Sequence, residues 1–449
     1  MIRSGFLVGL LLVAEACFGV EINERAIAMV HSGHIQEAQA SWWGFDPEDA
    51  TEYLQAAIDS GVRRLIVDNT GHPWVVQPIT LSSNDQTIFF QSGVEVVAKR
   101  GAFQNRSDCL FVARQRENIT LVGYGATLRM HRDDYDDSDQ YQKGEWRHVL
   151  SIHSCTNFNV YGLTLAESGG DGIYLGKSGD GLTNTNIHIK DVHCDKNYRQ
   201  GISVITAENL LIEDTVMSNT GGTPPESGID FEPNSPEERL VNAIVRNCLT
   251  ENNAGDGYQV ALFHLYESSE PVSIRFENCR SVEDIRSVRV LTSNESGKTV
   301  LGDVEFVDCS FESSKDAGLL YWNKPSNGFN VKFTNCVFLD SATERPDMTP
   351  ILFLSGLEAT EPIGGLEFVD CLFRDQLDRN LLSYRDGVGG LPVDGVVGNI
   401  IWEHGDSRKE LQLTPEIIAE WSAQEDTEDV AEAEDDVEAE DEANDDDEG

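Results

Sequence analysis

The chain is 449 residues long, with 33 Lys+Arg against 78 Asp+Glu, a formal charge of −45, and 40% hydrophobic residues. So acidic a chain repels phosphate backbones, which excludes a general nucleic-acid binder, and its apolar share excludes disorder over the whole length. Length alone suggests about three domains, but an internal repeat replaces that division with one continuous body.

The first residues read as an export signal: Arg3, an apolar run over residues 5–14, then Ala14-Glu15-Ala16, an A-x-A cleavage pattern. Residues 1–19 are therefore expected to be a signal peptide cleaved near 16–19, and the mature chain to be secreted or periplasmic. A lipid anchor at Cys17 is the second reading. No other stretch approaches the roughly 20 apolar residues a bilayer requires, so no transmembrane segment is expected. Residues 20–87 form an N-terminal cap. In it Asp46 is placed as the N-cap and Pro47 as the first residue of a helix with Ala50, Tyr53, Leu54, Ala57 and Ile58 at helical spacing, stopped by Gly61.

From residue 88 to 405 a short pattern recurs, apolar-x-apolar-x-(Asp/Asn)-(Cys/apolar). Its Asp/Asn positions are Asp191, Asp214, Asn247, Asn278, Asp308, Asn335 and Asp370, in steps of 23, 33, 31, 30, 27 and 35 residues. Each copy alternates with period two, the mark of a strand with one buried face. Most are followed about ten residues later by a second strand opened by glycine, as at Gly172, Gly201, Gly228 and Gly257. Several short strands per repeat of about 30 residues describe one coil of a parallel β-solenoid; a propeller blade needs roughly 40–50. Cys248, Cys279, Cys309, Cys336 and Cys371 each follow the Asp/Asn and stack in one column. Side chains on neighbouring coils point the same way, which suits a disulfide poorly, so buried thiols are favoured over disulfides. Trp402 and a short helix opened by Thr414-Pro415 close the far end, residues 406–422. Residues 423–449 form a disordered acidic tail, with sixteen Asp/Glu and no Lys or Arg between 425 and 448.

The segments DPEDATEYLQAAIDSG, GVEVVAKRGAF, GLTLAESGGDGIYLG, NIHIKDVHCDKNYRQGISVI and NLLIEDTVMSNTGGTPPESGIDFEP carry a resemblance that spans residues 45–405. The chain resembles the right-handed parallel β-helix proteins of the pectin-lyase-like superfamily. The resemblance implies an all-β, right-handed parallel β-helix with coils of about 23–35 residues and a capping helix, acting on a polysaccharide. No GDD followed by Gly-His-Gly is present, and the one GGDG has a single Asp, so the three-aspartate mechanism of polygalacturonase-like hydrolases does not transfer.

In a solenoid, distant residues meet when they share a column, so aligning coils predicts geometry. Aligning EWRHVLSIH, GGDGIYLG, NYRQGISVI, ESGIDFE and GDGYQVA puts His148, Asp171, Gln200, Ser227 and Asp256 in one column. Ser151, Tyr174, Ser203, Asp230 and Gln259 form the next outward column, with Glu232 beside Asp230, and Arg147 and Arg199 share a further one. Inward positions are apolar: Leu150, Ile173, Ile202, Ile229 and Tyr258. Two chemistries suit the outward face. Asp230 and Glu232, about 6.6 Å apart along one strand, approach the spacing of an inverting glycosidase pair, with Asp171 able to replace either and His148 beside it. Alternatively, Arg147 and Arg199 clamp the carboxylate of a uronate while Asp171, Asp230 and Glu232 ligate Ca²⁺, as in a lyase. Tyr174, Tyr198 and Gln259 are expected to contact sugar, and the aspartates of the 131–144 insertion are either a solvated turn or Ca²⁺ ligands. The expectation is thus an exported, monomeric polysaccharide hydrolase, with a uronate lyase or a glycan-binding surface protein as alternatives, and with Ca²⁺ the one cofactor in question.

Overall fold

A computed structural model of the chain describes residues 20–179, 182–295 and 297–422. The expected signal peptide and acidic tail lie outside the described residues. The alternating segments become short parallel strands, each coil pairing with the next to form a right-handed parallel β-helix. A typical coil holds three, as in Ile173–Gly176, Asn184–Lys190 and His193–Asp195. The first strand of each coil belongs to an 11-stranded sheet, and the other two to a 22-stranded sheet that wraps the remaining sides.

Between the second and third strands the chain bends at one residue. Asp191, Asp214, Asn247, Asn278, Asp308, Asn335 and Asp370 have φ of 51–56°, the left-handed region that Asp and Asn tolerate better than other side chains. The Asp/Asn repeat read from the sequence is therefore the corner of the coil. A second left-handed corner carries an amide ladder, in which Asn118, Asn157, Asn186, Asn209 and Asn242 each donate Nδ2 to the residue one coil earlier, at 2.7–3.2 Å, starting from Asp85.

Inside, like stacks on like. Phe276, Phe306 and Phe333 lie face to face at 4.4 and 4.6 Å between centroids. The column Leu150, Ile173, Ile202, Ile229, Tyr258, Val288 and Leu319 is completely buried. All eight described cysteines are buried free thiols, and those of the ladder point Sγ at a carbonyl oxygen of the preceding coil, as Cys279 does to Val245 at 3.4 Å.

The glycines that open the first strands have a packing cause. A Cβ on Gly201 would lie 2.4 Å from the carbonyl oxygen of Gly228 and 2.8 Å from Met217 Cβ, and those on Gly172 and Gly228 would meet the next glycine's carbonyl at 2.7 and 2.8 Å. Since backbone cannot retreat without breaking its ladder, Gly201→Ala is expected to destabilise the protein by about 1–3 kcal/mol, read as a lowered urea midpoint.

Both ends are capped. At the N-terminus the helix starts later than the Asp46 cap predicted: α2 spans Thr51–Asp59, Asp46 instead closes a turn onto the Glu48 amide, and Asp49 accepts from Thr51. A preceding helix, α1 (Glu24–His31), was not anticipated. Parallel pairing begins ahead of residue 88, with Glu37–Gln39 against Arg64–Val67 and that strand against Thr87–Phe90. At the other end an antiparallel hairpin, Val393–His404 with Ser407–Leu413, and α3 (Pro415–Ser422) cover the last coil, burying Trp402, Leu413 and Ile418.

Candidate functional site

The 11-stranded sheet presents one face to the core and one outward. Its register is the predicted one: Ser151, Tyr174, Ser203, Asp230 and Gln259 are consecutive partners, and the column continues into Arg289 before turning apolar at Leu320. Downstream, Leu320, Trp322, Leu352 and Leu354 make a small second core with Met348 and Ala342. The buried polar side chains of this face that touch one another lie on the coils between His148 and Arg289.

That face points outward but is covered. Asp171 and Asp230 are 0% exposed, His148 3%, Glu232 4% and Arg199 2%. Insertions between coils wall it in. Tyr135 of the 131–144 insertion packs so closely on Gly169 that a Cβ there would lie 2.5 Å from its ring, and Arg132 donates to the Lys196 carbonyl. Half-buried Tyr198, its pKa raised by burial and by the nearby Asp136 carboxylate, packs under Gly222, where a Cβ would meet its ring at 2.3 Å. On the far side Lys177 reaches Ser235 at 2.9 Å and Glu238 at 3.2 Å.

Inside this enclosure the side chains form one network. His148 Nδ1 accepts the Asp171 amide at 3.0 Å, so in neutral His148 the proton sits on Nε2 and the 3.2 Å approach of Asp171 Oδ2 to Nδ1 carries no donated proton. Ser203 Oγ lies 2.8 Å from Asp171 Oδ2 and 2.9 Å from Gln200 Oε1. A hydroxyl has one proton, so both contacts are hydrogen bonds only when Asp171 carries a proton of its own. Asp171 Oδ1 is buried with no hydrogen-bond donor among the described residues. Asp230 is held differently: its Oδ2 accepts from Gln200 Nε2 at 3.1 Å and from Gln259 Nε2 at 3.0 Å, and Ser227 fixes Gln259 by donating to its Oε1. Two amide donors on one oxygen favour the carboxylate form.

Arg199 lies between two carboxylates, with Nη2 3.1 Å from Glu232 Oε2 and Nε 3.4 Å from Glu145 Oε1. Burial opposes its charge, but Glu232, Glu145, Asp171 and Asp230 together hold its pKa well above the ordinary arginine range. Burial pushes the Glu145 carboxyl up from its usual value, against the pull of Arg199. One coil on, Asp256 is clamped by Arg286 Nε at 2.5 Å and approached by Arg289 at 3.5 Å.

The structure therefore brings together His148, Asp171, Arg199, Asp230, Glu232 and Gln259. It takes Arg147 away from the expected clamp. The Arg147 guanidinium donates to the carbonyls of Phe103 (2.9 Å), Gly144 (3.2 Å), Gln104 and Gln142, beneath Tyr135 and Tyr141, and so anchors the insertion rather than facing Arg199's carboxylates. Tyr174 stacks on His148 at 4.6 Å and 8°, with 7% exposure, which makes it a cover for the imidazole. Gln259 serves Asp230. Beneath the same cover His153 donates or accepts at Ser151 (2.7 Å), and burial, aided by Arg114, lowers its pKa to about 4. Glu145, Arg286 and Arg289 were missed. Glu145 opens the very segment aligned first, and the two arginines appear when the alignment is carried one coil further, Asp256 onto Arg286.

The aspartates of the 131–144 insertion are dispersed: Asp134 pairs with Arg100, Asp133 with Arg132, and Asp136 with Tyr198. Among the described residues no group of three or more His, Cys, Asp or Glu is arranged to hold a metal ion. Nor is any described helix long and apolar enough to cross a membrane.

Comparison with known proteins agrees with this architecture. The family described as the right handed beta helix region matches residues 148–338, the stretch that contains the network. The uncharacterized protein YclG of Bacillus subtilis is 28% identical over 151 residues, 30% of this chain; the match spans about a quarter of that relative's length, 26%. Three solved structures share the fold. The tailspike protein of E. coli bacteriophage HK620, in complex with a pentasaccharide, has a TM-score of 0.59 at 13% identity, covering 82% of this chain and 66% of its own. The A-module of an Azotobacter vinelandii mannuronan C-5 epimerase gives 0.54 at 10% identity, covering 82% and 95%. A Family 28 exopolygalacturonase of Yersinia enterocolitica gives 0.54 at 12%, covering 84% and 79%. By its fold, the chain is a right-handed parallel β-helix protein.

Proposed function

We propose that the protein is an exported carbohydrate-active enzyme that hydrolyses glycosidic bonds of a polysaccharide on the face bearing Asp171, Arg199, Asp230 and Glu232. One observation carries this reading: two buried carboxylates on the same face, Asp171 and Asp230, sit in unlike hydrogen-bond environments linked through a shared Ser203-Gln200 bridge. Burying carboxylates costs several kcal/mol unless they are paired, and a solenoid face needs none for stability. Two carboxyl groups in unlike surroundings on one face are what an acid and a base require.

In this reading Asp230, held by two amides, takes the proton from a water molecule as its oxygen bonds to the anomeric carbon. Asp171 gives its proton to the glycosidic oxygen as the bond to the leaving sugar breaks. Their coils are two apart along the axis, and the two carboxyl groups do not touch but are linked through Ser203 and Gln200, as befits the wide spacing of an inverting pair rather than the close one of a retaining pair. Glu232 and Glu145 hold the Arg199 cation in place to bind sugar hydroxyls or a charged substituent. Because Asp171 is completely covered, a glycan enters only when the 131–144 insertion and the 221–226 loop part around Tyr198. The lyase alternative loses one of its two arginines to the insertion. The tailspike in complex with a pentasaccharide and the exopolygalacturonase support carbohydrate as the substrate class.

The test is incubation of the purified mature chain with neutral, uronic and sulfated glycans, with and without EDTA, following reducing ends and the ultraviolet absorbance of unsaturated products. New reducing ends without that absorbance, indifferent to EDTA, are expected. Absorbance would establish a lyase, and silence across the panel would favour a glycan-binding surface protein.

A further inference from the structure

A cavity of about 610 Å³ opens at the C-terminal cap, where α3 and the antiparallel hairpin close the last coil. That volume lies in the range of small-molecule sites. Its lining includes the indoles of Trp402 and Trp421 together with His404, Asp378, Lys409 and Glu420. Nothing in the groove's chemistry involves these residues, and none belongs to the coils that carry the network.

Three features give this cavity a chemistry. First, His404 stacks on Trp402 at 5.0 Å and 17°, and its Nδ1 lies 2.7 Å from Asp378 Oδ1. A carboxylate accepts, so Nδ1 carries the proton and Nε2 of the neutral ring is left as an acceptor. Second, that Nε2 is buried with no hydrogen-bond partner among the described residues, an arrangement that costs free energy unless a ligand donates to it. Third, the charges exclude an anion. Arg379, also in the lining, is committed to Asp375 at 2.5 Å and to the carbonyls of Ser341 and Met348, which leaves Lys409 in a lining that also holds Asp378 and Glu420. Half-buried Trp421 supplies a flat apolar face, buried Trp402 backs the His404 ring, and the acids around them supply acceptors.

We propose that this cavity is a second carbohydrate site, separate from the groove, which takes a neutral pyranose of a glycan chain with one hydroxyl donating to His404 Nε2. A pyranose matches the lining because it offers an apolar C–H face to an indole and a ring of hydroxyl donors to the acids and the imidazole. The site holds polymer at one end of the β-helix and makes no bond change. It stands or falls independently of the hydrolase reading.

The experiment is titration of the mature chain with cellopentaose, xylopentaose, mannopentaose and maltopentaose, followed by tryptophan fluorescence and calorimetry, with trigalacturonate and tetramethylammonium as charged probes. At least one neutral oligosaccharide is expected to bind, Trp421→Ala and His404→Phe to weaken it at least tenfold, and Asp171→Asn to leave it within twofold. His404→Phe keeps the stack on Trp402 while deleting Nε2, so it decides the matter even where Trp421→Ala unseats α3. The proposal is overturned by any of three results: no neutral probe binding at millimolar concentration, binding that survives His404→Phe, or binding confined to the charged probes. Loss of binding in Asp171→Asn would place the glycan in the groove and equally overturn it.

Discussion

Asp230→Asn is expected to lower the rate of glycan turnover by about 10²–10⁴-fold, the usual contribution of a positioned acid or base, with little change in unfolding midpoint. The substitution keeps the volume of the side chain and one oxygen for the Gln200 and Gln259 amides that now converge on Oδ2. What disappears is the lone pair able to accept a proton from water. Asp171→Asn is expected to act with similar force on substrates whose leaving group needs protonation, and far less on an aryl glycoside whose phenolate leaves unassisted. That contrast separates acid from base: Asp230→Asn slows both substrates alike. Because the two groups act in one step, the double variant should be barely slower than the worse single one. If Asp230→Asn and Asp171→Asn both retained full activity on an identified glycan, the assignment of the site to this face would be wrong.

Why so much of this was legible, and where legibility stopped, follows from what a solenoid repeats. Coil register is written into the sequence because one inward apolar position per strand and one left-handed corner recur together, so Asp191 through Asp370 fix the frame and Tyr174, Ser203, Asp230 and Gln259 fall into one column. The second corner was legible in principle, since Asn118, Asn157, Asn186, Asn209 and Asn242 each precede an apolar position by one residue. Exposure was not legible. Which outward residues meet water depends on insertions that follow no repeat, and the 131–144 loop folds over the face it leaves. Arg147 shows the consequence: its column was right, but a long side chain chooses its partners in three dimensions, and four carbonyls, two from that loop and two from residues 103 and 104, outcompete a distant carboxylate. The start of α2 was misplaced for a related reason, because Asp46 and Asp49 both offer a capping oxygen and only packing against the first coil decides between them.

A second large effect is expected from Lys324, which lies in the core of the late coils with no carboxylate partner among the described residues: its Nζ donates to the carbonyls of Pro325 at 2.6 Å and Gly364 at 3.0 Å, 4.8 Å from the Phe329 ring. Burial lowers its pKa from 10.5 to about 7. The sign follows from proton counting. Between pH 7 and 10.5 the unfolded chain binds a proton at this lysine that the folded chain does not, so stability rises with pH across that window. The gain over pH 7–10 is up to about 4 kcal/mol from this group alone, at about 1.36 kcal/mol for each unit of displacement. Lys324→Met keeps the length and apolar stem and removes the titration. Urea midpoints of the variant relative to wild type are therefore expected to be highest at or below pH 7 and to fall as pH rises toward 10, where neutral lysine keeps its carbonyl hydrogen bonds and methionine cannot. A difference that stays flat from pH 7 to 10 would mean that Lys324 titrates in the fold as it does in water, and that the cluster of Tyr321, Phe329 and two carbonyls solvates an ammonium as well as water does.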